Sequence, residues 1–147
     1  MAVFLNNQFL ENEHASLNIM DLSIQRGYAA FDYLRTVNGK PLFLENHLDR
    51  FYASAEAMRL PLLKTKEELT GIINELIKKS GLSQAGIRLI LTGGYSPDAY
   101  SLAEPNLLIT CNPQTLPSVA DFEKGISIIT YEYQRDLPQV KNTNYMM

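Results

Sequence analysis

The sequence has little of several features that would point directly to a function. It contains one cysteine, Cys111, so no disulfide can form within the chain. Cys111 follows the apolar run Leu107–Ile109 and is interpreted as a buried thiol at a strand end, with a nucleophile as the disfavoured alternative. No apolar run approaches the roughly 20 residues that a membrane-spanning helix needs, so we expect no membrane partner.

The chain also has no large excess of charge of one sign. The net charge is −3 and the basic residues are scattered, which gives nucleic-acid binding no electrostatic support. The first residues show neither the basic start nor the apolar core of a signal peptide, so a cytoplasmic location is expected.

Motifs for metals and nucleotides are missing as well. The two histidines, His14 and His47, lie far apart in the sequence, and no cluster has the spacing of metal ligands. No glycine-rich phosphate loop of the usual spacing occurs. We therefore expect no metal site.

The patterns that are present predict an α+β fold with two helices packed on an antiparallel sheet. The chain has 147 residues, enough for one domain with a substantial core. Asn38-Gly39 predicts a tight hairpin turn, because both central positions of that turn need positive φ. The predicted strands are Val3–Leu5, Gln8–Leu10, Phe31–Val37, Pro41–Leu44, Ile87–Leu91, Asn106–Cys111 and Ile126–Tyr133, with residues 11–25 and 117–123 as loops.

Two helices follow from apolar residues spaced three and four apart. The first begins at Glu45 and ends before Pro61. The second begins at Thr65, where Glu68 completes a capping box, and ends at Gly81.

Two basic sites could bind anions. His47 and Arg50 are three residues apart near a helix start, where they could hold a phosphate or simply face solvent. Arg88 is the one charge in the strand Ile87–Leu91 and shares a face with Ile90. It could bind a carboxylate or reach water from a sheet edge.

Two further segments have both a functional and an ordinary interpretation. The loop Gly93–Tyr100, which includes Tyr95, could line a pocket or form only turns. Lys141 lies in a polar stretch, where it could be a Schiff-base nucleophile near a cavity or a surface lysine.

Three segments together resemble the class IV aminotransferases of fold type IV, which include branched-chain and D-amino-acid aminotransferases and aminodeoxychorismate lyase. Arg26–Arg35 is similar to the family's aromatic-Gly-x-x-x-Phe-Glu-x-x-Arg stretch. Leu42–Ala55 is similar to its His-x-x-Arg-Leu helix, and Val140–Tyr145 to its Lys-x-x-Asn-Tyr/Leu segment. The order and spacing of the segments also agree.

The resemblance implies pyridoxal 5′-phosphate as cofactor, an amino acid and a 2-oxo acid as substrates, and a homodimer. Lys141 would bind the cofactor covalently and move the substrate proton, and Arg50 would bind its phosphate. Phe31, Arg88 and Tyr95 would contact substrate, the last from a loop that covers the partner's site. His47 would support its helix.

Departures from the family pattern narrow the range of substrates that we expect. Branched-chain enzymes have a tyrosine two residues before the arginine that Arg88 matches, and this chain has Gly86. An aromatic residue is usual where Arg26 stands. Asp98 and Tyr100 replace the Arg-x-His that holds the carboxylate in D-amino-acid enzymes. We expect transfer from an L-amino acid of branched-chain type to 2-oxoglutarate, with a lyase as the alternative.

The resemblance divides the chain into a small domain, residues 1–133, and a linker, residues 134–147, that opens a large domain. The glutamate that pairs with the cofactor's ring nitrogen would come after Lys141 in that domain. We therefore expect the 147 residues alone to be inactive. A standalone binding or dimerisation module that holds no cofactor is the competing interpretation.

Overall fold

The fold is a six-stranded antiparallel sheet with helices on one face. The computed structural model describes residues 2–144. Within that range the strands are β1 (Ala2–Leu5), β2 (Gln8–Glu11), β3 (Ala29–Val37), β4 (Lys40–Pro41), β5 (Ala85–Thr92) and β6 (Leu107–Pro113). The α-helices are α1 (Leu22–Arg26), α2 (Leu44–Ala57), α3 (Lys66–Ser80) and α4 (Val119–Lys124). No helix in this range is long and apolar enough to cross a membrane.

The strand order is β2-β1-β6-β5-β3-β4, and every pairing is antiparallel. The long strands β3, β5 and β6 are therefore adjacent in the sheet. Along β3, Phe31 lies opposite Ile90 and Tyr33 opposite Arg88. This register places the open-face residues of β3 and β5 side by side.

One face of the sheet forms the hydrophobic core. Alternate residues of the strands, such as Leu34, Leu89 and Ile109, are buried there. Helix α2 packs against β3, and α3 packs against β1 and β6. Asp32 lies in the same row as Leu89 and Ile109, so this face buries one carboxylate among apolar side chains.

The sequence prediction of an antiparallel α+β fold is confirmed. Asn38 and Gly39 adopt positive φ angles of 51° and 72°, as the predicted hairpin turn requires. Thr65 and Glu68 form the predicted capping box, and Gly81 ends α3 in the left-handed conformation.

Two predicted loops contain helices, so those predictions were wrong. The segment 11–25 contains most of α1, whose N-terminus is capped by the carboxylate of Asp21 and whose C-terminus is closed by Gly27. The segment 117–123 contains most of α4, which has a capping box between Ser118 and Asp121. Both cap signals were present in the sequence.

Two predicted strands also differ from the structure. The strand Pro41–Leu44 stops at Pro41, because Phe43 adopts a φ of 50° and α2 begins at Leu44. The segment 126–133 forms no strand among the described residues, and Ile129 is 94% exposed. Its apolar pattern has no neighbouring strand or core to pack against here.

The capping box gives a test of helix α3. Thr65→Ala removes the side-chain oxygen that accepts from the amide of Glu68. We expect the free energy of unfolding to fall by about 1 kcal/mol in urea denaturation. Thr65→Ser keeps that oxygen and should remain within about 0.5 kcal/mol of the wild type. Equal losses in both variants would contradict a role for the cap.

Candidate functional site

A buried carboxylate joins strand β3 to helix α2. Asp32 is fully buried, and Arg50 donates to it through Nε at 2.7 Å and Nη2 at 2.8 Å. His47 Nδ1 lies 2.7 Å from the same carboxylate and donates to it, because an ionised carboxylate only accepts. The spacing of three residues places His47 and Arg50 on one side of α2, as the sequence predicted.

The cluster formed by Asp32, Arg50 and His47 keeps Asp32 ionised. Burial by itself would raise the pKa of Asp32, but the hydrogen bonds from Arg50 and His47 outweigh it. The pKa of Asp32 therefore lies below its ordinary value of 3.8. The side chain of Arg50 is 49% exposed, so its guanidinium is fixed by Asp32 and still reaches the surface.

The segment around Lys141 runs antiparallel to the start of β3. The amide of Phe31 donates to the carbonyl of Lys141 at 2.9 Å, and the amide of Thr143 donates to the carbonyl of Ala29 at 2.9 Å. The amide of Lys141 donates to the Oγ of Ser54 on α2 at 3.1 Å. The backbone of Lys141 is thus attached to both the sheet and the helix.

The side chain of Lys141 lies on the open face of the sheet. Its Nζ is 4.5 Å from the centre of the Phe31 ring, a cation–π contact. Phe31, Arg88, Ile90 and Thr143 line a cavity of about 410 Å³ on this face. Among the residues predicted from the sequence, the structure thus places Lys141 against Phe31, and Phe31 and Arg88 in the lining of one cavity.

Phe31 and Asp32 connect the two parts of the site. They are adjacent in β3 and point to opposite faces of the sheet. Asp32 holds Arg50 at the helix side, and Phe31 contacts Lys141 at the open side. Strand β3 therefore positions the guanidinium of Arg50 on one side and the amine of Lys141 on the other.

Tyr95 lies apart from this cavity. It lines a separate cavity of about 670 Å³ with Leu91 and Leu107 and is 44% exposed. Its backbone forms a bridge with Asp21. A contact between Tyr95 and substrate stays a prediction.

The loop that carries Tyr95 is organised by Asp98. This carboxylate accepts hydrogen bonds from Ser96 Oγ and from the amides of Tyr100 and Ser101. Bonds from Ser101 and Tyr100 hold the pKa of Asp98 well below its usual range. Arg26 contacts the same loop, since its Nε donates to the Ala99 carbonyl at 3.1 Å and its guanidinium lies 4.2 Å from the Tyr100 ring centre.

Sequence reasoning assigned no role to Asp32 or Ser54. The available signal for Asp32 was its position on the core-facing side of β3, shared with Ala30 and Leu34. A carboxylate buried at such a position needs a cationic partner. Ser54 gave no signal, because its partner is the amide of a residue far along the chain.

The fold and the site define an α+β domain. On one side of strand β3 it presents Lys141, and on the other side it presents Arg50, which is bound to Asp32. Residues 29–147 match the family model described as amino-transferase class IV. The chain belongs to the class IV aminotransferase family, which confirms the family predicted from the three sequence segments.

Individual relatives agree with this assignment. The chain is 29% identical over 154 residues to a putative branched-chain-amino-acid aminotransferase of Methanocaldococcus jannaschii, covering 99% of this chain and 52% of that protein. It is 33% identical over 155 residues to a D-alanine aminotransferase of Listeria monocytogenes, covering 99% and 53%. The chain therefore spans about half the length of these relatives.

A solved structure shows the same fold. The branched-chain amino acid aminotransferase from Escherichia coli superimposes with a TM-score of 0.71 at 22% identity, covering 77% of this chain and 41% of that one. At this level of identity the likeness concerns the fold.

The Asp32 cluster gives a test of the site's architecture. Asp32→Asn keeps the shape but removes the charge that binds Arg50, and we expect a loss of about 2 kcal/mol in the free energy of unfolding. Asp49→Asn is a matched control on α2, the helix that carries Arg50, because Asp49 forms an exposed ion pair with Lys66. The control should lose less than about 1 kcal/mol. Similar losses in both variants would show that burial of the Asp32 pair has no special effect.

The lowered pKa of Asp32 predicts a pH dependence. Because the folded pKa lies below 3.8, the stabilisation is fully present above about pH 4 and is lost as pH falls through the folded pKa. The difference in unfolding free energy between wild type and Asp32→Asn should therefore shrink below about pH 4, relative to its value at pH 5. Chemical denaturation of both proteins across this range measures it, and a difference that grows in acid would contradict the assignment.

Proposed function

We propose that this chain forms the small domain of a pyridoxal 5′-phosphate-dependent aminotransferase and carries its catalytic lysine. The observation that supports this proposal is the placement of Lys141. Its backbone is held between Phe31 and Ser54, and its amine lies 4.5 Å from the ring centre of Phe31, which lines a cavity together with Arg88. Family membership is consistent with this role for the lysine.

The chain offers the two kinds of group that the proposed cofactor needs. Pyridoxal 5′-phosphate carries an aldehyde, which needs a primary amine, and a phosphate, which needs fixed cationic donors. Lys141 offers the amine, and the half-exposed guanidinium of Arg50 offers a planar fork that Asp32 orients. When bound, the cofactor supplies an electron sink that stabilises negative charge at the substrate α-carbon.

In this proposal the protein residues transfer a proton and orient the substrate. Lys141 Nζ would accept the proton from the substrate α-carbon as general base and would then donate that proton as general acid. Its fixed backbone limits the positions that Nζ can reach. Phe31 provides an apolar wall at 4.5 Å that excludes water from one side of the amine. Arg88 attracts the substrate carboxylate into the cavity.

We propose an L-amino acid of branched-chain type as amino donor and 2-oxoglutarate as acceptor. The M. jannaschii relative supports this class by name, whereas the Listeria relative is named a D-alanine aminotransferase. Asp98 disfavours a D-amino acid, because the family resemblance places the carboxylate of that substrate at this part of the loop, where the ionised Asp98 would repel it. Leucine and D-alanine are therefore the two donors to compare.

The organisation of the whole protein is also proposed. Residues 1–133 would form the small domain, and residues 134–147 would lead into a second domain that supplies the rest of the cofactor pocket. The coverage of about half of each relative supports this division. We also propose that the whole protein is a cytoplasmic homodimer. In this dimer the loop with Tyr95 would cover the partner's site.

A trapping experiment tests the lysine. The full-length protein is incubated with pyridoxal 5′-phosphate and reduced with borohydride, and the modified peptide is identified by mass spectrometry. We expect the cofactor on Lys141, and Lys141→Ala should lower leucine-to-2-oxoglutarate transfer by about 10³-fold or more. Lys124→Ala removes an exposed lysine on α4 and should leave both results unchanged. Modification of another lysine, or full activity in Lys141→Ala, would overturn the proposal.

A further inference from the structure

Ser54 places a hydroxyl in the hydrophobic core of the domain. It lies on α2 and is only 1% exposed, and its neighbours Phe51 and Ala55 belong to the core. A hydroxyl buried among apolar side chains is unfavourable unless it is hydrogen bonded. The Oγ of Ser54 accepts a hydrogen bond from the amide of Lys141 at 3.1 Å. The buried hydroxyl therefore holds the segment that carries the lysine.

Lys141 is held through the peptide groups on both sides of its Cα. The peptide before Lys141 donates its N–H to Ser54, and the buried side chain of Val140 anchors that peptide in the core. The peptide after Lys141 accepts at the Lys141 carbonyl from the amide of Phe31 at 2.9 Å. The two soft dihedrals of a residue relate its two flanking peptide planes. Because both planes are held, the direction of the Cα–Cβ bond of Lys141 is restrained.

The bond to Ser54 opposes one particular rotation. With the carbonyl of Lys141 bound to β3, rotation about its Cα–C bond would move its nitrogen and its Cβ together. The nitrogen cannot move in this way while it is bound to Ser54. The same bond therefore keeps the Lys141 side chain directed towards Phe31, whose ring centre lies 4.5 Å from Nζ.

Helix α2 connects this contact to Arg50. Ser54 follows Arg50 by four residues, so both lie on the same side of α2, about 6 Å apart along the helix axis. Arg50 is fixed by Asp32, and Ser54 holds the backbone of Lys141. One helix thus sets the positions of both groups that the proposed cofactor would use. A cofactor bound at its phosphate and its aldehyde needs a constant distance between those groups.

We propose that Ser54 is a positioning residue for Lys141. Its Oγ holds the Lys141 nitrogen against α2 and thereby directs the amine towards the open face of the sheet. The inference rests on the proposed aminotransferase function and deepens it. Ser54 acts through the backbone of Lys141, and a misplacement of a reacting group by about 1 Å can lower a rate about 10²-fold.

Hydrogen–deuterium exchange of the full-length protein without cofactor tests the contact. Ser54→Ala removes the acceptor of the Lys141 amide, and we expect that amide to exchange about tenfold faster. Helix α3 should exchange at its wild-type rate, which shows that the variant is folded. Thr65→Ala is the reciprocal control, since it removes the cap of α3 and should leave exchange at Lys141 unchanged.

Transamination by the full-length protein with cofactor tests the positioning role. We expect Ser54→Ala to lower kcat for leucine about 10- to 100-fold and to leave KM within about threefold, because bound substrate meets a misplaced amine. Ser54→Thr keeps a hydroxyl and should retain kcat within about threefold of the wild type. Thr65→Ala destabilises the domain away from Lys141 and should change neither constant.

The outcomes separate this inference from the proposed function. A wild-type exchange rate at Lys141 in Ser54→Ala would overturn the contact, whether or not the protein is an aminotransferase. Faster exchange with an unchanged kcat would overturn the positioning role and leave the function intact. An equal loss of kcat in Thr65→Ala would assign the effect to lost stability and overturn the role as well. If borohydride traps no cofactor on Lys141 of the wild type, the function and the role both fail, while faster exchange would still support the contact.

Discussion

The ion pair between Asp32 and Arg50 is the interaction on which the site depends. A fully buried carboxylate is stable only if cationic donors replace its lost hydration, and both Arg50 and His47 supply them. This requirement fixes the first turns of α2 against β3. It also orients the guanidinium of Arg50, whose outer part remains half exposed. The same contact therefore stabilises the fold and fixes the orientation of a half-exposed guanidinium.

Strand β3 connects the two halves of the site because its side chains alternate between faces. Asp32 faces the helices, whereas Phe31 and Tyr33 face the open side with Arg88 opposite. The segment of Lys141 adds to the edge of this strand through hydrogen bonds with Phe31 and Ala29. A change in the register of β3 by one residue would exchange the two faces and dismantle both halves.

Much of the fold was predictable from local patterns. The turn Asn38-Gly39 and the capping box of Thr65 have short-range causes, so the sequence alone predicts them. One predicted strand failed because its apolar alternation depended on a neighbour. The segment 126–133 has a strand pattern, yet no strand or core lies beside it in the described structure, and Ile129 stays exposed. A strand needs a partner, and its own sequence does not provide one.

The sequence by itself determined the chemical groups of the site and the family of the protein. Lys141, Arg50 and the segments around them carry the family resemblance without any coordinates. Only the tertiary structure decided which groups meet. The contact of Asp32 with Arg50 and the attachment of Lys141 to Ser54 both join residues distant in sequence. Such contacts depend on strand register and helix packing, and the sequence pattern of a single segment determines neither.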